Sequence, residues 1–419
     1  MTLDELHRLL LPENLDMLDE HASDDPAAFA LRFQGCADIP ARAIAEQLAC
    51  RRKALKKLPE LSRFPILYTT LSLEQASGEA SAAYKASLVH GERLIDLTGG
   101  LGIDTMFFAR VFREVVYCER DTVLAELAAH NFRQIGISGV DTRCGDSLAM
   151  LDSFPDGFFD WIFVDPARRE GGRRSVGLSA ASPDVTAVHD FLLCKASRVM
   201  IKASPALELS RLREELPALS EIRVVSVGGE CREVLLLLDR NRPEDHAVER
   251  VAVLLAQDGS ILREIKGTGG EPRGRAVPVQ AFFYEPDAAI IKAGLTKKLA
   301  LDLGLAFVNG SVDFLTAEGF IADFPGRAFH VVAVERYKPK SFRDFLRRHG
   351  ITAAAVQRRD FSLQPEEIRS KFRLRESDRC YLFFTRGRDG EPICVYALKP
   401  SPAGAAVLSV QDRNAAPEC

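Results

Sequence analysis

The sequence lacks several features that mark whole classes of protein. It has no run of about 18 apolar residues, the length that a membrane-spanning helix needs. Its first residues, MTLDELHRLL, carry acids where a secretory signal would carry basic residues before an apolar stretch. The number of cysteines, nine, is odd, and no two of them form a CxxC pair. The eight histidines are likewise scattered along the chain. We therefore expect a cytoplasmic protein with reduced thiols, no membrane contact and no metal site.

A large excess of charge is missing as well, because the 419 residues carry a formal net charge of −4. Any basic surface for a nucleic acid must then be local. Hydrophobic residues make up 47% and charged residues 27% of the chain, the balance of an ordinary globular protein without internal repeats. At roughly 150 residues per domain, the length predicts about two or three domains.

The pattern of apolar residues changes along the chain. Helical spacing predicts helices over Ile39 to Leu58 and over Ser72 to Val89, and hence a helical domain over residues 1–88. From residue 89 to about 243, short β-rich runs alternate with helical runs, which predicts a parallel sheet covered by helices. Its last two strands, Ile222 to Val227 and Val234 to Asp239, are joined too closely for a crossover helix and must be antiparallel.

A polar segment with a proline, NRPEDHAVE, follows Asn241 and places a domain boundary near residue 243. Beyond it, strands such as Val251 to Leu255 are mixed with helices such as Ala289 to Leu303, which is typical of small α+β domains. Residues 401–419 are rich in Ala, Ser and Pro, and we expect a loose tail there.

A glycine loop follows the first strand of the predicted sheet. The segment RLIDLTGGLGID runs from Arg93 to Asp104, with an acid at the strand end, three glycines, and then a helical run. Glycines let the backbone turn tightly and approach a ligand, and the helix that follows directs amide groups toward it. On its own, this loop fits a dinucleotide as well as any other nucleotide-like cofactor.

Acids at three further strand ends separate these alternatives. Glu119 lies 23 residues after Asp96, where an acid can accept hydrogen bonds from both ribose hydroxyls. Asp146 follows the third strand and Asp165 the fourth. A single acid at a strand end often just faces solvent, but a dinucleotide site explains only the glycine loop and Glu119. The whole set resembles the class I methyltransferases over residues 93–240.

This resemblance implies an α/β, Rossmann-like sheet with strand order 3-2-1-4-5-7-6 and S-adenosylmethionine as cofactor. The loop after Asp96 would hold the methionine part, Glu119 the ribose and Asp146 the adenine. The upstream helix resembles one that covers the cofactor in nucleic-acid methyltransferases, so its Gln75, Ser77 and Glu79 either close the pocket or form an ordinary polar face. The cofactor-binding residues implied are Asp96, Thr98, Gly99, Gly100, Gly102, Asp104, Glu119, Arg120, Asp146, Ser147, Asp165 and Gln75.

The fourth strand ends in Asp165-Pro166-Ala167-Arg168. This resembles the D/N-P-P-x motif of nucleobase methyltransferases, in which the acid and the peptide before proline accept hydrogen bonds from the acceptor nitrogen. Ala167 replaces the second proline and no aromatic residue follows, which disfavours an exocyclic adenine amine. Arg168 and Arg169 either bind a phosphate or another acidic group of the substrate, or solvate a loop.

The fifth strand, with the segment VMIKASP, resembles the nucleophile segment of RNA 5-methyluridine enzymes, but Ala203 stands where those enzymes have cysteine. Direct transfer to a nitrogen or an oxygen is therefore favoured over covalent attack on a pyrimidine. Lys202 and Ser204 would line the pocket. Cys231, beside Arg232, is the only other cysteine near this edge and is more often incidental in a turn; Glu230 and Glu233 are weaker candidates. We predict Asp165, Pro166, Arg168 and Lys202 as the catalytic residues.

The region from Lys338 to Arg379 is locally basic, with 12 Lys and Arg against 6 Asp and Glu. Such a surface can hold a polyanion. Four phenylalanines are interleaved with these charges, and their spacing favours a place in the core over base stacking: Phe342, Phe345, Phe361 and Phe372.

Two segments, AFFYEPDAAIIKAG and RRDFSLQPEEIRSKFRLRESDRCYLFFTR, resemble the ferredoxin-like and THUMP-like domains of a bacterial family of RNA-modifying methyltransferases. This implies a ferredoxin-like domain over 244–335, a THUMP-like basic region over 336–400, and tRNA or rRNA as substrate. The leading hypothesis is methyl transfer to a nucleobase nitrogen in structured RNA. The alternatives are an RNA-binding protein with an inactive methyltransferase domain, and a methyltransferase for a protein or small molecule.

Overall fold

The computed structural model describes residues 1–36, 38–168, 177–243 and 247–400. These form two compact units. The first comprises Met1–Gly228, Arg232–Glu249 and Leu255–Leu262, and the second comprises Gly229–Cys231, Arg250–Leu254 and the chain from Arg263 onward. Within the described ranges, no helix is both long and apolar enough to cross a membrane.

The chain begins with helices only: α1 (Leu3–Leu9), α2 (Pro12–Glu20), α3 (Pro26–Arg32), α4 (Ala41–Lys57), α5 (Thr70–Gln75) and α6 (Glu79–Ser87). Local sequence explains several starts, because Thr2 closes a capping box on α1 and proline occupies the first turn of α2 and α3. The single helix predicted over Ser72 to Val89 is wrong. Ala76 and Gly78 are extended, so the chain breaks into α5 and α6.

An extended segment between α4 and α5 is held by two buried amide side chains. Gln47, on α4, accepts from the backbone N–H of Tyr68 (2.9 Å) and donates to its carbonyl (2.7 Å). Asn131 does the same for Leu67, with both hydrogen bonds at 2.8 Å. Each amide therefore replaces a neighbouring strand for a segment that has none, as buried backbone polar groups require.

The first unit is built on a twisted sheet. Its strands are β1 (Arg93–Asp96), β2 (Glu114–Glu119), β3 (Val140–Cys144), β4 (Phe159–Val164), β7 (Ala196–Ala203), β8 (Leu219–Val227) and β9 (Glu230–Asp239), and a two-stranded ribbon, β5 (Ala167–Arg168) with β6 (Ala181–Ser182), lies apart from it. The order β3-β2-β1-β4-β7-β9-β8 confirms the predicted 3-2-1-4-5-7-6. The neighbours of β1, β2 and β4 are parallel, and β9 runs antiparallel to β7.

The helices that alternate with these strands are α7 (Ile103–Phe108), α8 (Thr122–Ile135), α9 (Ser147–Asp152), α10 (Val185–Lys195) and α11 (Leu212–Glu215). Aspartates cap three of them, since Asp121, Asp146 and Asp184 accept from first-turn amides of α8, α9 and α10. The predicted helix over Leu207 to Leu216 shortens to α11, one turn.

Strands β10 (Glu249–Leu255) and β11 (Ile261–Gly267) extend the large sheet beyond β8 to nine strands. We expected Val251 to Leu255 in the domain that follows residue 243; Arg250–Leu254 belong to the second unit, although β10 is hydrogen-bonded in the large sheet. Strand β8 would otherwise form the open edge of this sheet; β10 satisfies its backbone groups, and β11 becomes the edge strand. The predicted boundary near 243 adjoins residues 244–246, which lie outside the described residues, as does the predicted tail at 401–419.

The second unit contains a seven-stranded sheet of order β13-β14-β12-β15-β18-β17-β16. Its strands are β12 (Phe282–Pro286), β13 (Ala306–Phe307), β14 (Leu315–Ala317), β15 (Gly326–Arg336), β16 (Ala355–Arg358), β17 (Cys380–Arg386) and β18 (Pro392–Leu398), with helices α12 (Ala288–Ala293), α13 (Thr296–Leu303), α14 (Pro339–Arg348) and α15 (Pro365–Phe372). Gly294, left-handed at φ +75°, splits the helix predicted over Ala289 to Leu303. Strand β15 also runs across the predicted division at 335.

The phenylalanines of the basic region belong to the core, as expected. Phe342, Phe345 and Phe361 are buried in one apolar cluster, and Phe372 packs against it. Helix α14 turns its basic side chains the other way: Lys340, Arg343, Arg347 and Arg348 are exposed.

Replacing Asn131 by leucine tests the amide clamp. We expect Asn131→Leu to lower the free energy of unfolding by about 2 to 3 kcal/mol, because two buried backbone groups of Leu67 lose their partner. Urea unfolding measures the change. Gln134→Leu, at an exposed position of the same helix, should stay within about 0.5 kcal/mol of the wild type. Equal losses in both variants would contradict the clamp.

Candidate active site

The glycine loop after β1 is shaped by a tyrosine from β2. Gly99 lies against the ring of Tyr117, where a Cβ would come within 2.0 Å of a ring carbon. The Tyr117 hydroxyl donates to the carbonyl of Gly100 (2.5 Å), and the Gly99 amide donates to the carbonyl of Cys118 (2.9 Å). Gly102 has φ +80° and starts α7 against Phe132. The loop is thereby fixed from both sides.

Asp96 supports this loop from below. Its carboxylate is buried and accepts from the backbone amide of Thr98 (3.0 Å) and the hydroxyl of Thr105 (2.6 Å). The pKa of Asp96 is raised to about 7, mainly by burial and less by the nearby carboxylates of Asp104 and Asp165, against the lowering effect of the two hydrogen bonds. The carboxylate oxygens of Asp96 therefore hold the glycine loop in place, and a ligand bound at the loop would meet these same oxygens.

Two acids lie at the ends of the next strands. Glu119, at the end of β2, accepts from the amides of Gly100 (2.8 Å) and Asp121 (2.9 Å), so each oxygen is oriented by one backbone group. Asp146 follows β3 and caps α9 through the amide of Ala149 (2.9 Å). A carboxylate has about four acceptor positions, so each of these acids can accept further hydrogen bonds.

The end of β4 is tied to the glycine loop. The backbone amide of Asp165 donates to the Thr98 hydroxyl (2.6 Å), and the ammonium of Lys202, on β7, contacts the Asp165 carboxylate. Burial would lower the pKa of Lys202, but the carboxylates of Asp165, Asp104 and Glu233 outweigh it and raise the pKa. The side chain of Arg168 and the whole of Arg169 lie outside the described residues.

A buried group of charges lies beside this pair. The ammonium of Lys85, on α6, has no exposed surface and donates to both oxygens of Glu233 (2.9 and 2.8 Å) and to the Ser77 hydroxyl (3.0 Å). It also lies 3.2 Å from Asp104, which accepts from Ser77 (2.8 Å). Burial raises the pKa of Glu233, against the lowering effect of Lys85 and Lys202.

This buried group changes the picture drawn from the sequence. Asp104, predicted to bind the cofactor, also pairs with Lys85, and Ser77 joins the same network. Glu79, considered for closing the pocket, accepts from the amides of Glu60 and Leu61. Lys85 was missed because a lysine in a helix normally faces solvent. Its apolar neighbours at 82, 84 and 86 were the available signal.

All these elements border one cleft of about 1860 Å³ in the first unit. Gly102 is not among the residues described on its wall. The predicted residues that line the cleft are Gln75, Asp96, Thr98, Gly99, Gly100, Asp104, Glu119, Arg120, Asp146, Ser147, Asp165, Pro166 and Lys202. Ser204 and Glu233 also line it, as do parts of α4, α5 and α6. A nucleotide-sized ligand and the group that reacts with it would fit together in such a space.

Comparisons with known proteins identify methyltransferases and a THUMP-like domain among the similar chains. A family model described as THUMP domain-like matches residues 326–399, which begins before the predicted position 336. Curated relatives from two strains of Mycobacterium tuberculosis, CDC 1551 and H37Rv, are named as uncharacterized S-adenosylmethionine-dependent methyltransferases. Each is 24% identical over 368 residues, 85% of this chain and 97% of the relative.

A crystal structure from Porphyromonas gingivalis W83, named as that of a candidate methyltransferase, is similar over nearly the whole chain. It has 26% sequence identity and a TM-score of 0.80, covering 95% of this chain and 98% of the other. The likeness therefore extends to the described parts of both units.

Replacing Glu233 tests the buried network. We expect Glu233→Gln to lower the free energy of unfolding by about 3 kcal/mol, because it leaves the Lys85 ammonium buried with less compensation. Chemical denaturation measures it. Glu215→Gln, exposed at the end of α11, is the matched control. The double variant Lys85→Met with Glu233→Leu should lose less than Glu233→Gln alone; a larger, additive loss would argue against coupling of the two charges.

Proposed function

The chain joins a class I methyltransferase fold to a THUMP-like domain, and on this premise we propose that it transfers a methyl group from S-adenosylmethionine to a nucleobase nitrogen in structured RNA. The enzyme class and the cofactor follow from the relatives. The proposal depends most on one observation: the hydrogen bond from the Asp165 amide to Thr98 joins the acid after β4 directly to the glycine loop.

The described residues fit the cofactor. The loop has no Cβ at Gly99 or Gly100, and Glu119 and Asp146 follow neighbouring parallel strands at one edge of the sheet. We propose that the loop after Asp96 holds the methionine part, that Glu119 accepts from the ribose hydroxyls, and that Asp146 accepts from the adenine amino group. S-adenosylmethionine would supply an activated methyl group on a positively charged sulfur.

Asp165 is the proposed catalytic residue. Its side chain is 37% exposed toward the cleft, and Lys202 and the backbone contact with Thr98 hold it in place. There it can accept a hydrogen bond from the acceptor nitrogen, orient the nitrogen lone pair and offset the positive charge that develops on it. Because Pro166 has no amide hydrogen, the peptide bond between Asp165 and Pro166 offers only an acceptor, the carbonyl of Asp165.

Lys202 is proposed to hold Asp165 in place through the contact between its ammonium and the Asp165 carboxylate. Beside it, Ala203 and Ser204 line the cleft. Neither supplies a thiol, so the proposal is direct transfer without a covalent intermediate. Arg168 remains a proposed contact to a substrate phosphate.

The RNA part of the proposal rests on the second unit. The THUMP-like match covers the segment in which α14 exposes four basic side chains above a closed phenylalanine core: Lys340, Arg343, Arg347 and Arg348. Such a surface suits a phosphate backbone. We propose tRNA or rRNA as the substrate and the cytoplasm as the place of reaction. Methylation of a protein or small molecule would use the same catalytic residues.

The cofactor assignment is tested at Glu119. We expect Glu119→Gln to weaken binding of S-adenosylmethionine by roughly 10- to 100-fold, because charged hydrogen bonds to the ribose contribute about 1.5 to 3 kcal/mol. Isothermal titration calorimetry measures the dissociation constant. Glu114→Gln, at the exposed start of the same strand, should bind as the wild type does. Unchanged binding in Glu119→Gln would exclude the ribose assignment.

The substrate and the role of Asp165 are tested together with labelled cofactor and total RNA. We expect the wild type to label RNA and Asp165→Ala to lose at least about 100-fold in rate, with cofactor affinity within about twofold. Asp190→Ala removes a carboxylate that is 91% exposed and serves as control. Mass spectrometry then identifies the methylated nucleotide.

The outcomes of that experiment separate the alternatives. Labelled protein with unlabelled RNA would favour a protein methyltransferase. Failure to bind the cofactor at micromolar concentration would favour an RNA-binding protein with an inactive domain.

A further inference from the structure

The last turn of α4 brings a half-buried lysine to the wall of the cleft. The Lys57 ammonium donates to the carbonyls of Leu73 (2.6 Å) and Glu74 (2.9 Å), at the end of α5. Those two hydrogen bonds use two of its three N–H groups. For the third, no acceptor occurs among the described residues. Lys53 and Lys56, on the same turn, are exposed and line the cleft too.

Two further cations border the same cleft, Lys202 at the end of β7 and Arg232 near the start of β9. Burial, followed by the charges of Lys202 and Arg232, lowers the pKa of Lys57 to about 8, against the raising effect of Glu74. The fold has thus brought three cations from three separate elements within range of mutual repulsion. An anion among them would relieve that repulsion.

The position of these cations relates them to the reaction. Lys202 contacts Asp165, the proposed catalytic acid. An anion that lies between Lys202 and Lys57 would therefore be adjacent to the acceptor group. In a nucleic acid, the anion nearest to a base is the phosphate of the same nucleotide or of its neighbour. Lysine is a common ligand of phosphate because its compact charge adapts to the tetrahedral group.

We propose that Lys57, Lys202 and Arg232 form a phosphate subsite, which binds a backbone phosphate of the RNA next to the base that Asp165 receives. The backbone part of this proposal rests on the proposed function, whereas binding of the anion does not. The subsite assigns a substrate-binding role to the amino-terminal helices, in a wall of the cleft that carries none of the predicted catalytic residues.

Inorganic phosphate is the first probe, at pH 7 and with chloride of equal ionic strength as reference. A ligand that binds the folded state raises the midpoint of thermal unfolding. We expect phosphate to raise it for the full-length wild type, and Lys57→Met to lose most of that increase. Lys266→Met, exposed on β11, should keep it. An equal increase in Lys57→Met and the wild type would overturn the subsite, as would equal stabilisation of the wild type by an acidic peptide.

A change of pH supplies a second measurement that does not depend on how well Lys57→Met folds. Between pH 7 and 9 Lys57 should lose its proton, so the effect of phosphate on the wild type should decrease, although phosphate itself becomes more negative. Lys57→Arg stays charged and should keep the effect at pH 9. A parallel decrease in the wild type and in Lys57→Arg would refute the role of Lys57.

The RNA backbone is distinguished from free phosphate by methyl transfer to total RNA at saturating cofactor. We expect Lys57→Met to raise KM several-fold, and more than it lowers kcat. An unchanged KM, with the phosphate effect lost, would overturn the backbone assignment and identify a site for free phosphate. If the wild type labels no RNA, the proposed function fails, but the two phosphate measurements still decide the subsite.

Discussion

The candidate active site is organised around buried charges, each of which requires a partner of opposite charge. Lys85 has no exposed surface, and its ammonium is balanced by Glu233 and Asp104. Glu233 also lies in the field of Lys202, which in turn contacts Asp165. These side chains come from α6, α7, β9, β7 and the end of β4, so a shift of one of these elements would disturb its ion pair with another. Asp165, which is part-exposed, is linked to the buried group through Lys202, and removing a single partner within that buried group is costly.

The sequence predicted the elements whose limits are encoded locally. Helix α8 begins after the capping Asp121 and ends at the left-handed Gly136, and α10 is capped by Asp184, so both match their predicted ranges. The sheet order followed from the resemblance. The predicted helices over Ser72 to Val89 and Ala289 to Leu303 were wrong, because apolar spacing continues across a break that tertiary contacts or a single glycine impose.

In the candidate site, too, locally encoded features could be predicted and features set by tertiary contacts could not. Acids at strand ends could be found from the sequence because parallel strands bring their carboxyl ends to one edge. The partners of those acids could not, since Lys85 and Glu233 are 148 residues apart and meet only through the sheet. The ion pair of Asp104 could not be predicted for the same reason: a carboxylate beside a glycine loop can face a ligand or a buried ammonium, and its contact with Lys85 depends on the packing of α6.

The contact between Gly99 and Tyr117 has a consequence for how such sequences can change. A side chain at position 99 would overlap the tyrosine ring, and loss of the ring would remove the hydroxyl that holds the carbonyl of Gly100. The two positions, one in the loop after β1 and the other in β2, are therefore coupled: a larger residue at 99 is compatible only with a smaller one at 117. A substitution at 99 alone meets the tyrosine ring, whereas a substitution at 117 alone costs the hydrogen bond to the Gly100 carbonyl, so a change at 99 becomes acceptable only after a change at 117.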